Sequence, residues 1–224
     1  AADIYGCFGA NVPKVEISIQ RLINTGVQQK ENEDYCHIMS EKLDNMINYK
    51  TGCGKNLNLK NLGGELTFKK GDKIKERGLG KILAVGLLIN DVNIIGPDWK
   101  NISYKIQDDE VGFKTAFTYK LDKFDAFNFK ESEVKDKKIQ ISTLGTKEIA
   151  FEDFHPSTQK EFLLALYQIR EVKSEQFKKF FSRKGAEMYV SAEGRAEELA
   201  KQILERREQI MRVYEKELQE LTQQ

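Results

Sequence analysis

The C-terminal part of the chain has the clearest pattern of apolar and polar positions. From Ala192 onward it lacks proline and consists largely of Ala, Leu, Glu, Lys, Gln, Arg and Met, the residues with the highest helix propensity. Apolar residues recur three, four and seven positions apart, which is the spacing of one helix face. This apolar stripe runs through Leu199, Ile203, Ile210 and Tyr214. The pattern predicts a long amphipathic helix whose stripe must be covered by another surface.

Residues 156–181 also have helical periodicity. Pro156 suits the first turn of a helix, where the missing N–H has no intrahelical partner in any case. A broad apolar face then follows at Phe162, Leu163, Leu166, Ile169, Phe177, Phe180 and Phe181. Gly185 is predicted to interrupt the helix. We therefore divide the chain into a mixed domain, residues 1–155, and a C-terminal helical region, residues 156–224.

The middle of the chain alternates between apolar and polar residues with a period of two, which is typical of strands. Residues 100–121 are predicted to form two antiparallel strands joined near residues 108–110, with Phe113 and Phe117 pointing into the core. Shorter strands are predicted at residues 66–68, 127–129 and 139–141. The apolar run at residues 81–89 is predicted to be a strand buried on both faces, after a hairpin turn at residues 78–81. Together these strands predict an antiparallel meander.

The first 50 residues give a more mixed pattern. Alternation at residues 15–19 favours a strand, although residues 20–23 could equally begin a helix. Apolar positions in residues 33–50 have helical spacing, and Gly52 and Gly54 would end that helix. The predicted fold class is α+β, with an N-terminal helical portion, a central antiparallel β-sheet (meander) and C-terminal long helices.

The charge balance limits the classes of partner. The 224 residues contain 36 Lys and Arg against 35 Asp and Glu, a net charge of +1, so no overall field attracts nucleic acid or an acidic membrane. Such binding would need a local patch. Basic residues alternate with phenylalanines at Lys178, Lys179, Arg183 and Lys184, which makes an anion or membrane contact conceivable there. On a helix, however, such phenylalanines more often pack inward. No apolar run reaches the length of a membrane span.

The cysteines leave the redox compartment open. Cys7, Cys36 and Cys53 are an odd number at irregular spacing, so both one disulfide and three free thiols are compatible with the sequence. The Ile-Tyr-Gly-Cys sequence of residues 4–7 resembles the lipid-attachment box of bacterial lipoproteins. That resemblance implies an envelope-associated lipoprotein anchored at Cys7; the alternative is an ordinary cysteine in an N-terminal tail. The cell envelope and the cytoplasm are equally open as locations.

The sequence contains few signals of catalysis. It has no Walker loop, no G-x-S-x-G motif and no Rossmann fingerprint, and neither His37 nor His155 has the spacing of zinc ligands. We therefore predict no catalytic residue, no metal ligand and no cofactor. Residues 65–72 resemble the E-L-x-F-x-x-G-D stretch of SH3 domains, which implies a β-turn after a short strand.

One pattern supports an enzymatic alternative. Pro97-Asp98, followed by Glu133-Val134-Lys135, resembles the PD-(D/E)xK signature of nucleases. The resemblance implies a metal-dependent phosphodiester-cleaving enzyme, in which two acids hold a metal ion that activates water. The simpler interpretation is a turn followed by a solvated charged segment.

The favoured function is that of a non-catalytic interaction or assembly protein. Its C-terminal amphipathic helix would engage a second copy or a protein partner through the apolar stripe, at Leu199, Ile203, Ile210 and Tyr214. An equally weighted alternative is that the same face folds back onto the chain itself, because the pattern is the same whichever surface covers it.

Overall fold

The computed structural model describes residues 2–21, 34–54, 64–121, 127, 129, 133–142, 147–181 and 195–223. Helix α1 (Ala2–Cys7) leads to an antiparallel ribbon of β1 (Val15–Arg21) and β2 (Asp34–Ser40). The predicted strand at residues 15–19 is confirmed, but the prediction of a helix over residues 33–50 is wrong for the residues that form β2. Over so short a window the apolar positions fit either period, and pairing with β1 satisfies the backbone of this segment as a strand.

The main sheet has five strands in the order β3-β6-β7-β5-β4. They are β3 (Ile47–Asn48), β4 (Glu65–Thr67), β5 (Lys73–Arg77), β6 (Ile102–Asp108) and β7 (Lys114–Lys120). The hairpin predicted for residues 100–121 is confirmed, since β6 and β7 pair antiparallel from Ile102 opposite Lys120 to Asp108 opposite Lys114. The central sheet is mostly antiparallel, and the pair β5–β7 is parallel.

Helix α3 (Leu79–Leu88) lies where a buried strand was predicted for residues 81–89. That prediction is wrong. Helix α3 is buried on all sides, and only Lys81 is partly exposed. Because the helix has no polar face, its sequence shows no helical period. Gly78, at φ +100°, begins the helix instead of closing a hairpin. The helix carries the chain from β5 across to β6, which allows β5 and β7 to run parallel.

Two short elements flank the main sheet. Helix α2 (Tyr49–Cys53) follows β3 and ends at Gly54, as the glycine in the sequence predicts. Strands β8 (Lys138–Ser142) and β9 (Lys147–Ala150) form a second ribbon, which confirms the strand at residues 139–141. The prediction of a strand at residues 127–129 is wrong at Phe127, because this residue lies in a turn with φ +69°, outside the β region.

The C-terminal segment is helical, as predicted. Its described helices are α4 (Pro156–Glu171), α5 (Ser174–Phe181), α6 (Arg195–Val213) and α7 (Glu215–Thr222). Pro156 lies in the first turn of α4, and the Ser157 N–H donates to His155 Nδ1 at 3.1 Å. Gly185 lies outside the described residues. Buried side chains from residues 1–155 and from residues 156–224 share one hydrophobic core, and the fold class is α+β.

Helices α3 and α4 approach closely at Gly80. A Cβ atom on Gly80 would lie 2.4 Å from the Thr158 carbonyl oxygen, so the absent side chain allows the two backbones to meet. Glu161 of α4 accepts the N–H groups of Gly78 at 2.8 Å and of Gly80 at 3.3 Å, donors that have no partner within α3. Burial raises the pKa of Glu161 above its usual range, and these two bonds oppose the shift.

Candidate functional site

Three of the four exposed large apolar side chains in the described part of the chain lie on the β6–β7 hairpin, and the fourth, Leu164, lies on α4. Val111 is 75% exposed, Phe113 is 71% exposed and Ile106 is 36% exposed. We call these three residues and the connecting loop, residues 109–113, the hairpin tip. The prediction that Phe113 points into the core is wrong, because Phe113 precedes β7 and strand alternation does not extend to it; Phe117 is half-buried.

Asp109 fixes the conformation of the hairpin tip. Its Oδ1 accepts the N–H groups of Phe113 at 2.9 Å and of Val111 at 3.1 Å, and its own N–H donates to the Phe113 carbonyl at 2.8 Å. These backbone bonds, first that from Phe113, lower the pKa of Asp109, and Arg77 adds to the effect. The loop therefore presents Val111 and Phe113 on a backbone that is already ordered.

A buried polar cluster lies beneath α2. Tyr49 and Thr118 both donate to Glu76 Oε1, the second at 2.6 Å, and the Tyr49 and Thr118 oxygens lie 2.5 Å apart. All three residues are buried. Burial, and then the neighbouring Glu76 carboxylate, raise the pKa of Tyr49 well above its usual value. With its polar groups enclosed, the cluster holds α2 on the sheet.

A second polar cluster joins α1 to the sheet. Lys120 Nζ lies 3.2 Å from Asp91 Oδ2, with both side chains 1% exposed, and Tyr5 donates to the same oxygen at 2.8 Å. Burial, then Asp91, raise the pKa of Tyr5 well above its usual value. Cleavage before Cys7, as the lipoprotein alternative requires, would remove Tyr5 from this cluster. That loss is a physical argument against the alternative, because it would leave buried polar groups with one partner fewer.

Neither polar cluster is predicted by the pattern of the sequence. Alternation predicts that the aromatic residues of β7 point inward, whereas Ala116, Thr118 and Lys120 are fully buried. Lys120 and Thr118 can point inward because Asp91 and Glu76 lie within hydrogen-bonding or ion-pairing distance. Glu76 lies in β5, 42 positions before Thr118, and Asp91 lies in the loop that follows α3. No local pattern in β7 predicts these two partners.

The structure places the apolar stripe in the chain's own core. Ile203, Ile210 and Tyr214 are fully buried, and Leu199 is half-buried against the same core. The Tyr214 ring packs on Phe151 and Phe162, with centroid distances of 5.3 Å and 5.1 Å. This chain therefore covers the stripe itself, which is the alternative that the sequence left equally weighted, and partner binding through the stripe stays a prediction. A partner could reach it only by displacing α6.

The basic residues singled out in the sequence are partly described. Lys178 and Lys179 are exposed on α5, and Lys178 Nζ lies 3.5 Å from a Glu175 oxygen. Phe177 points inward and is fully buried. Arg183 and Lys184 lie outside the described residues. An anion or membrane contact at this segment stays a prediction.

The residues of the nuclease-like pattern are engaged in separate surface contacts. Asp98 pairs with Lys50 at 3.0 Å, and Glu133 pairs with Lys135 at 3.1 Å. Within the described ranges, no three His, Cys, Asp or Glu side chains converge in a way that could hold a metal ion. The pattern therefore offers no assembled site in this part of the chain on which a hydrolytic mechanism could be built.

The described cysteines are free thiols, exposed at Cys7 and buried at Cys53. Burial raises the pKa of Cys53, and the Glu76 carboxylate adds to the effect. The side chains of Cys36 and His37 lie outside the description. His155 caps α4 and is half-buried.

Comparison with known proteins gives no assignment: no protein-family model, curated protein or solved structure matches the chain. None of the helices in the described ranges is both long enough and apolar enough to cross a membrane.

Proposed function

We propose that the chain is a non-catalytic interaction protein that binds another protein through the hairpin tip. The observation that supports this proposal is the exposure of Val111, 75%, and Phe113, 71%, on a loop ordered by Asp109. Burying a large apolar side chain against a partner contributes about 1.5–3 kcal/mol. Because the loop is already ordered, little of that free energy is lost to immobilising it.

Position in the fold also favours the hairpin tip over an ordinary exposed apolar residue. Single exposed apolar side chains are common on protein surfaces and need no explanation. Here Val111 and Phe113 are two positions apart in one loop, and Ile106 lies near the end of the strand that leads into it. Large apolar side chains held exposed on an ordered loop are of the kind that protein partners cover.

The proposal keeps the class of function predicted from the sequence and changes the contact surface. The apolar stripe is occupied within the chain, whereas its helix presents charged side chains outward, including exposed Lys201, Glu205, Glu208 and Arg212. An outward face of this kind does not support association through a helix–helix seam. The hairpin tip requires no rearrangement before it can bind.

Site-specific photo-crosslinking tests the proposal. The photoreactive residue p-benzoylphenylalanine would replace Phe113 in the full chain, which is then illuminated in an extract of the cells that make the protein. The matched control carries the same residue at Leu164, an apolar side chain of α4 that is 45% exposed. We expect a discrete protein adduct from position 113 and none from position 164.

Competition makes the result specific to the hairpin tip. An excess of unmodified chain should suppress the adduct, and a chain carrying both Val111→Ser and Phe113→Ser should suppress it much less. Identical adducts from positions 113 and 164, or no adduct from position 113, would refute the proposal.

A further inference from the structure

Two adjacent arginines of α6 bind the carboxyl ends of two different helices. Arg206 Nε donates to the Leu87 carbonyl at 2.5 Å, and Arg207 Nη1 donates to the Val172 carbonyl at 2.6 Å. Leu87 lies in the last turn of α3, and Val172 is the residue that ends α4. The Leu87 carbonyl also accepts the Asn90 N–H at 3.4 Å, and it lies at the negative end of the α3 dipole, which suits a guanidinium group.

Both guanidinium groups are largely withdrawn from water. Arg206 is 7% exposed, and the Arg207 side chain is 13% exposed and lies 5.6 Å from the centroid of the Phe177 ring. Burial lowers the pKa of Arg206 to about 10, which still leaves it protonated at neutral pH. A charge in such surroundings is tolerated only where its donors are bonded.

The apolar stripe alone does not determine the axial position of α6 on the rest of the chain. Leu199 and Ile203 are four residues apart, and so are Ile210 and Tyr214, so a shift of one turn carries one apolar side chain of each pair to the position that the other fills. The same degeneracy allows register errors in coiled coils, where a buried polar residue removes it.

We infer that Arg206 and Arg207 form a register clamp, which selects one axial and rotational position of α6 on the rest of the chain. Neighbouring helical residues point about 100° apart, so contacts from both to fixed carbonyls determine the rotation of α6 as well as its height. A shift of one turn moves each guanidinium about 5.4 Å, away from its carbonyl, and leaves a buried charge without that partner. The clamp therefore penalises the displaced registers that the stripe alone accepts.

The test removes both guanidinium groups and measures the position of α6. The variant Arg206→Met/Arg207→Met keeps long, flexible apolar side chains at both positions. The control is Arg212→Met, which removes an exposed arginine from the same helix. Spin labels attached to p-acetylphenylalanine at Gln168 of α4 and Glu205 of α6, both exposed, report the distance between the helices without altering the cysteines.

We expect one narrow distance distribution for the unmodified chain and for Arg212→Met. The double variant should retain its helical circular dichroism and show a broadened distribution, or a second population at a label distance changed by up to about 5 Å. A single unchanged distribution would overturn the inference. Complete unfolding of the double variant would also overturn it, because the clamp is assigned to register and the stripe should still dock α6.

Discussion

Replacing Gly80 with alanine should force α3 and α4 apart. The new Cβ atom would lie 2.4 Å from the Thr158 carbonyl oxygen, 2.6 Å from Glu161 Cβ and 2.7 Å from the Phe162 nitrogen. Two of these three atoms belong to the backbone of α4 and cannot rotate away. Reaching an ordinary van der Waals distance therefore requires about 1 Å of separation between the helices.

The magnitude follows from two opposing effects. Overpacking of this kind costs about 1–3 kcal/mol, and the separation also lengthens the bonds from the Gly78 and Gly80 N–H groups to Glu161. Alanine in a helix interior recovers at most about 1 kcal/mol relative to glycine, and less in the first turn, where Gly80 lies. We expect Gly80→Ala to lower the free energy of unfolding by about 1–2 kcal/mol.

Two other helical glycines provide matched controls. A Cβ atom on Gly6 of α1 would meet Val12 Cγ2 at 3.9 Å, an ordinary contact, so Gly6→Ala should be neutral or stabilising. A Cβ atom on Gly86 of α3 would lie 2.5 Å from Ile94 Cδ1, the end of a side chain that can move, so Gly86→Ala should be intermediate. Urea unfolding of the three variants measures the order. If Gly80→Ala is as stable as Gly6→Ala, the close approach of α3 and α4 is not as described.

Two further predictions concern the C-terminal helices. The pKa of Glu161 is raised in the folded chain, so folding favours the protonated carboxyl group. The stability that this group contributes is therefore fully present below the ordinary carboxyl pKa of about 4.3. That stability is lost as the pH rises through the higher pKa of the folded chain. Glu161→Gln should therefore gain stability relative to the unmodified chain as the pH is raised from about 4 to 7, and a pH-independent difference in urea unfolding would contradict this. Truncation after Ser191 removes Ile203 and Ile210 from the core at about 1.5–3 kcal/mol each, against a typical total stability of about 5–15 kcal/mol. We expect the truncated chain to lose its cooperative unfolding transition by circular dichroism. A truncated chain with an intact sheet would show that residues 1–191 fold without α6 and α7.

The periodicity of the sequence predicts those elements that have one solvent-exposed face and one buried face. The C-terminal helices and the β6–β7 hairpin belong to this class, and their positions could be predicted within a few residues. Helix α3 could not, because burial around its whole circumference removes the helical period and its glycines at 80 and 86 lower its apparent propensity. The close packing of α4 on Gly80 is a tertiary contact, which no local pattern in residues 79–88 records.

Strand β7 shows why the inner face of a strand can be assigned wrongly. Its aromatic residues suggested one inner face, and Thr118 and Lys120 fell on the other. The structure buries Thr118 and Lys120 because Glu76 and Asp91 compensate for the loss of water. Alternation gives the period of a strand, but the inner face depends on partners that are distant in sequence.

The candidate site left a weak local signal. Val111 and Phe113 flank Gly112 directly after three acidic residues, which is the composition of a turn and not of a strand. Because apolar residues alternate across Gly112, the same residues also fit the pattern of a strand. The apolar stripe is the opposite case, because its pattern is unambiguous as a helix but contains no information about whether this chain or another covers it.

Trp99 gives the fold a built-in optical reporter. It is the one tryptophan of the sequence, it is half-buried, and its indole stacks on the Tyr49 ring with centroids 6.0 Å apart. Tryptophan emission should therefore follow the surroundings of α2 and the main sheet, whereas far-ultraviolet circular dichroism follows mainly the C-terminal helices. Coincident denaturation curves from the two signals would indicate that sheet and helices melt as one cooperative unit, and separated curves would reveal an intermediate.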